Sequence, residues 1–162
     1  MSLDPNRLRA GVLGANDGVI SVAGIVTLVA GATTSRGAVL LAGFGGLAAG
    51  AVSMAIGEFL SVSAQRDEEL TAGDDAPASP SAAAAASFLS FICGAAFPLL
   101  AIALPPASLR VPFCFVVVLL TLAFTGTVSA RLAGSAAWPA VRLFVGLGAV
   151  GMAVTYTTGL LA

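Results

Sequence analysis

The run GAVLLAGFGGLAAGAVSMAIG, residues 37–57, holds 21 residues and not one charge. An α-helix needs about 20 mostly apolar residues to cross the hydrocarbon of a bilayer, so this run alone is long enough. Small residues recur within it at Gly43, Gly46, Gly50, Ser53 and Gly57, spaced 3, 4, 3, 4, which lines one face of a helix. Helices in lipid associate through small residues that let backbones approach closely. This face therefore argues for a compact bundle or an oligomer.

The rest of the chain repeats the pattern. Of its 162 residues, 58% are apolar before its 19 glycines are counted, and only 9% are charged. A soluble domain carries about 25% charge, and this composition cannot supply a polar surface. The few charges divide the chain into spans at about 10–32, 38–62, 82–104, 111–130 and 141–162. The expectation is an all-α membrane protein, a single five-transmembrane-helix domain. Asn16 and Asp17 interrupt the first apolar run where a cleaved signal would be most apolar, so that run is expected to stay as a span. Trp138 and Pro139 sit where an interfacial anchor and a helix first turn belong.

Arginine placement sets the orientation. With the N-terminus inside, Arg7, Arg9, Arg66, Arg131 and Arg142 are cytoplasmic, while Arg36 and Arg110 face out. The one substantial polar segment, AQRDEELTAGDDAPASPS at 64–81, then becomes a cytoplasmic linker. Its acids, Asp67, Glu68, Glu69, Asp74 and Asp75, read as a solvated face.

Composition also excludes several chemistries. There is no lysine and a net charge of -1, which leaves no basic stripe for nucleic acid. There is no histidine, which removes histidine-ligated metal sites and Ser-His-Asp catalysis. Cys93 and Cys114 sit apart in apolar runs and read as small buried hydrophobes, not a disulfide. Neither an enzyme nor a resident cofactor is expected.

The residues that stand out are those that are costly in lipid. Asp17 falls about two turns into the first span. An acid at the centre of a span costs on the order of 2.5–3.5 kcal/mol and marks a functional site by default. Glu58 lies near the cytoplasmic end of the second span, with Met54 one turn away on the same face. The two helices run in opposite directions, so Asp17, Met54 and Glu58 are expected at comparable depths. Glu58 so near the interface reads equally as a paired acid, and Met54 alone as packing. No arginine is placed at the depth of Asp17; Arg9 is the nearest. Two carboxylates and a thioether together suit divalent ions, the sulfur favouring transition metals. Without histidine, proton coupling would run through the same carboxylates.

These residues carry a resemblance. LRAGVLGANDGVISVAG (residues 8–24) followed by AAGAVSMAIGEFLSVSAQRDEE (48–69) resembles the first two helices of the vacuolar iron transporter family, with its NDG and SMA-GE-SVS-Q-D pattern. SFLSFICGAAFPLL, TGTVSARLAG and AVRLFVGLGAVGMAVTYTTG resemble its later helices, in order. The resemblance implies a five-helix protomer in a homodimer, with an ion path between subunits and the first helices at its centre. It implies export of Fe2+, often Mn2+ as well, from the cytosol in exchange for protons. Carried over onto this chain, the metal-lining residues are Asp17, Met54 and Glu58. Many members also carry a long Glu-rich domain between the second and third spans. Here only the 64–81 linker stands there, with five acids and no methionine.

The leading expectation is thus a proton-coupled Fe2+/Mn2+ exporter. A non-transporting membrane module, a subunit needing a partner metal-binding domain, and a carrier of another cation stay open beside it. The lysine-free, alanine- and arginine-rich composition points to a bacterial cytoplasmic membrane; in a eukaryote the resemblance implies the vacuolar membrane.

Overall fold

A computed structural model of the protein describes residues 5–73 and 76–162. Five long helices make up the chain: α1 Pro5–Ala32, α2 Arg36–Thr71, α3 Pro80–Ala103, α4 Arg110–Leu132 and α5 Ala137–Leu160. A 3-10 turn, Ala107–Leu109, leads into α4. All five helices are long and apolar enough to cross a membrane. The protein is an all-α, five-helix membrane protein.

The boundaries follow from local chemistry. Ser35 caps α2, its hydroxyl accepting from the Ala38 amide at 3.4 Å. Pro80 opens α3, where a missing N–H costs nothing, and Pro105 and Pro106 follow its end. The α4 terminus is a Schellman motif. Gly134, with φ of 64°, lets the Ser135 amide reach Ala130 O (2.9 Å) and its own amide reach Arg131 O (3.2 Å). Gly73, with φ of 84°, follows the end of α2, its amide bonding Leu70 O at 3.1 Å. Arg131 in the last turn of α4 complements the carbonyl end of the helix.

Helix α1 is the axis of the bundle and contacts all four other helices. It packs on α3 backbone against backbone: a side chain at Gly18 would strike the Phe91 carbonyl, and one at Gly94 would strike that of Ala15. On α5, a side chain at Gly159 would strike the Leu28 carbonyl. The small-residue face of α2 is used over half its length. Gly43, Gly46 and Gly50 receive Leu99, Ile25 and Phe91, whereas Ser53 and Gly57 are exposed. The main core gathers Val19, Val22, Val26, Phe91, Val118 and Met152. Leu41, Phe44, Leu60, Leu120 and Leu147 point outward, as lipid-facing residues should.

Three expectations need correction. The 64–81 segment is mostly not a linker. Helix α2 continues to Thr71, and at 36 residues it is about 54 Å long, well beyond the roughly 30 Å hydrocarbon. Nothing between Glu58 and Ala72 breaks it, and Gln65 Nε2 donates to Glu69 Oε1 at 2.7 Å one turn on. Glu69 Oε2 also accepts from the Ala78 amide at 2.6 Å, tying the projecting end to the start of α3. Asp74 and Asp75 lie outside the described residues. Cys114 is buried as expected and both cysteines are free, but Cys93 is exposed on the outer face of α3. Arg110, expected just before the fourth span, opens α4 and is only 9% exposed, with its Nη1 donating to Thr34 O (3.1 Å) just beyond the end of α1.

Candidate functional site

Asp17 stands 12 residues beyond the start of α1 at Pro5, about 18 Å along the axis. The helix begins before residue 10, so Asp17 is more than three turns from its start, the first of them carrying Arg7 and Arg9. Its neighbours at helical spacing are Leu13, Ser21, Gly24 and Leu28. Leu13 and Leu28 are exposed, so Asp17 shares the strip of α1 that the other helices leave partly uncovered. Ser21 Oγ donates to Asp17 Oδ1 at 2.6 Å. No cation pairs with Asp17 among the described residues.

Glu58 is treated differently. It is 6% exposed, and its Oε2 accepts from Arg9 Nη2 at 3.1 Å, the ion pair that joins α1 to α2. Arg9 is eight residues, about 12 Å along the axis, before Asp17. Arg9 is therefore the partner of Glu58 and not a counter-charge for Asp17. Met54, one turn along α2 from Glu58, is partly buried and packs against the main core. Met54 and Glu58 thus share a face of α2, while the two carboxylates have separate partners. Among the described residues, no three Asp, Glu or Cys side chains converge as a metal cage. One protomer presents an open set of ligands, not a closed site.

Two more polar residues frame this region: Arg9, expected from sequence as the arginine nearest Asp17, and Asn16 of the NDG motif. Arg9 and Asn16 line a cleft of about 470 Å³ between α1 and α4–α5, together with Ser129 and Phe144. Asn16 is 8% exposed, and its Oδ1 has no hydrogen-bond partner among the described residues. Such an atom is costly in an apolar interior. The signal available in sequence was spacing: Arg9 and Asn16 stand seven residues apart, on one face of α1.

Farther along α1, the chemistry is that of packing. Thr27 Oγ1 donates to Ala23 O at 2.7 Å and lies 3.2 Å from Thr155 Oγ1 on α5. Such hydroxyls satisfy themselves on their own helix and join neighbours across the bundle.

Comparison with known proteins agrees with this architecture. A model of the VIT family matches residues 8–74 and 68–160, nearly the whole chain. Vacuolar iron transporter homolog 1 of Oryza sativa subsp. japonica is 47% identical over 165 residues, covering 92% of this chain and 71% of the relative. Vacuolar iron transporter homolog 5 of the same plant is 42% identical, covering 93% and 78%. Vacuolar iron transporter homolog 3 of Arabidopsis thaliana is 41% identical, covering 92% and 80%. With five membrane-length helices in the same chain, the conclusion is direct: this integral membrane protein belongs to the VIT family.

Proposed function

We propose that the chain is a transporter, not an enzyme, that carries Fe2+ and Mn2+ out of the cytosol in exchange for protons, working as a homodimer. The observation that carries this reading is Asp17: an acid about 18 Å along a spanning helix, on an uncovered strip, with a serine hydroxyl for company and, among the described residues, no cation. Keeping an acid at such depth costs on the order of 2.5–3.5 kcal/mol, and a helix built only for packing gains nothing from it. The relatives are named for vacuolar iron transport, which supports a metal as the cargo.

A twofold dimer sets the same patch of each subunit against its copy. If the uncovered strip of α1 meets its copy, two Asp17 side chains face one path, with Met54 and Glu58 of each protomer toward the end where α1 starts. The carboxylates bind the cation directly, and the thioether of Met54 favours a transition metal over magnesium or calcium. The chain has no histidine, so the returning proton is carried by the carboxylates that release the metal. With the arginine bias fixing that end as cytoplasmic, loading is from the cytosol. The relatives' names point to a vacuolar membrane, and the lysine-free composition to a bacterial cytoplasmic one.

The test is uptake of Fe2+ and of Mn2+ into proteoliposomes under an imposed pH gradient. Wild type should accumulate both metals, and Asp17→Asn should lose flux by about two orders of magnitude while eluting as the same folded species. Normal transport by Asp17→Asn would end the mechanism. Absence of flux for both metals in folded wild type would favour a membrane module that needs a partner metal-binding domain.

A further inference from the structure

We propose that Arg9 is a tethered counter-cation with two seats: it holds Glu58 when no metal is present, and an arriving divalent cation displaces it into the cleft at Asn16. This inference rests on the reading of Glu58 as a metal ligand. It adds what must happen to the charge already sitting there.

The first seat is the observed one. Glu58 is 6% exposed and its carboxylate is met by Arg9 Nη2 at 3.1 Å. A buried carboxylate without a partner is strongly destabilising, so Arg9 does for the cation-free protein what the metal would do. A divalent ion on the same carboxylate and a guanidinium on it are like charges at one site, and they exclude each other. The guanidinium is the mobile member: Arg9 is 53% exposed, on a long unbranched stem, whereas Glu58 is enclosed.

The second seat is built next to the first. Arg9 itself lines the α1/α4/α5 cleft, and so do Asn16 and Ser129. Asn16 lies seven residues on, two helical turns or about 10 Å. Its side chain leans back toward the start of the helix, as does that of Arg9, so the long arginine stem must turn along the cleft to span the gap. Asn16 Oδ1 is a buried acceptor without a donor among the described residues, and a guanidinium offers five N–H donors. In a cleft walled by Val12, Leu132 and Phe144, a charge-assisted bond to that oxygen is strong. Asn16 is then a positioning residue that acts on the metal through Arg9. Arg9 sets the affinity: a cation that cannot outcompete a guanidinium does not load.

The test is equilibrium Mn2+ binding to the full-length protein in lipid nanodiscs, read from the free Mn2+ electron paramagnetic resonance signal. Arg9→Gln should bind Mn2+ about tenfold more tightly or better, since the competing charge-assisted bond is gone. Arg9→Lys, which keeps a charge and folds more readily, should tighten binding by a smaller factor. Asn16→Leu should weaken binding several-fold, and that effect should vanish in the Arg9→Gln background. Unchanged or weaker binding by both Arg9 variants overturns the proposal, as does an Asn16→Leu defect that persists without Arg9. Glu58→Gln separates the two levels. If it binds Mn2+ like wild type, Glu58 is no ligand and both readings fall. If it loses Mn2+ while the Arg9 variants match wild type, the site stands and only the two-seat arginine falls.

Discussion

Asp17 and Glu58 are both acids in apolar helices, and the bundle handles them in opposite ways. Glu58 is enclosed and neutralised by a guanidinium from the neighbouring helix. Asp17 is half-buried, on the exposed strip of α1, and among the described residues has one hydroxyl for a partner. A carboxylate compensated from within is stable without cargo, whereas one left uncompensated in a spanning helix needs something from outside. The contrast separates an acid paired with a guanidinium from one that, among the described residues, has a serine hydroxyl for a partner.

The largest expected effect is on Asp17. Asp17→Asn removes the charge and keeps the shape, so metal flux should fall by about two orders of magnitude with little change in thermal stability. Equal losses from Asp17→Asn and from a packing variant of α1 would erase the distinction between the two acids.

Next in size is the contact that holds Asp17 in place. Ala15 and Gly18 on α1 lie directly against Gly94 and Phe91 on α3. Gly94→Val inserts a branched side chain into the Ala15 carbonyl, and overpacking of this kind costs about 1–3 kcal/mol or more. The melting temperature in detergent should drop by several degrees, with transport declining only in step with the folded fraction.

Arg9→Gln tests the other side of the comparison. It leaves Glu58 enclosed without its partner, which costs about 3–5 kcal/mol for a fully buried pair. Arg9 is half exposed, so about 2 kcal/mol is the expected loss of stability. Added Mn2+ should restore more of the melting temperature in this variant than in wild type, because ligand binding to the folded state stabilises it by mass action. Equal rescue in both would mean that the ion does not use the Glu58 carboxylate.

The smallest effect is at Ser21. Ser21→Ala removes the 2.6 Å hydrogen bond to Asp17 at a cost of about 0.5–1.5 kcal/mol. Flux should change by only a few-fold, since the carboxylate charge survives. A loss as complete as that of Asp17→Asn would make the hydroxyl part of the path itself.

Much of this was visible before any coordinates. Uncharged runs of spanning length identify five helices, since the bilayer demands a fixed length of apolar residues. Asp17 was visible for the same reason, as the one acid set well inside a run. The projecting end of α2 was not legible: residues 64–71 are polar, and polarity reads as linker even where nothing interrupts a helix. Arg9 and Asn16 were in view, but Arg9 was set beside Asp17 rather than Glu58, and Asn16 was read only as a break in the apolar run and part of a motif. Their role depends on which side chain from a distant helix stands beside them.

The sequence alone determined the membrane, the number of helices and the family, because hydropathy and motif order are local properties of the chain. It also determined that an acid lies within α1. Only the tertiary structure decided that Glu58 belongs to Arg9 and that, among the described residues, Asp17 stands without a counter-charge and Asn16 offers an unused acceptor in the cleft Arg9 lines. Those facts are set by how α1 and α2 register against one another and where α4 and α5 leave space. Register between helices is fixed by backbone-to-backbone contacts such as Gly18 against Phe91, at distances of tens of residues along the chain.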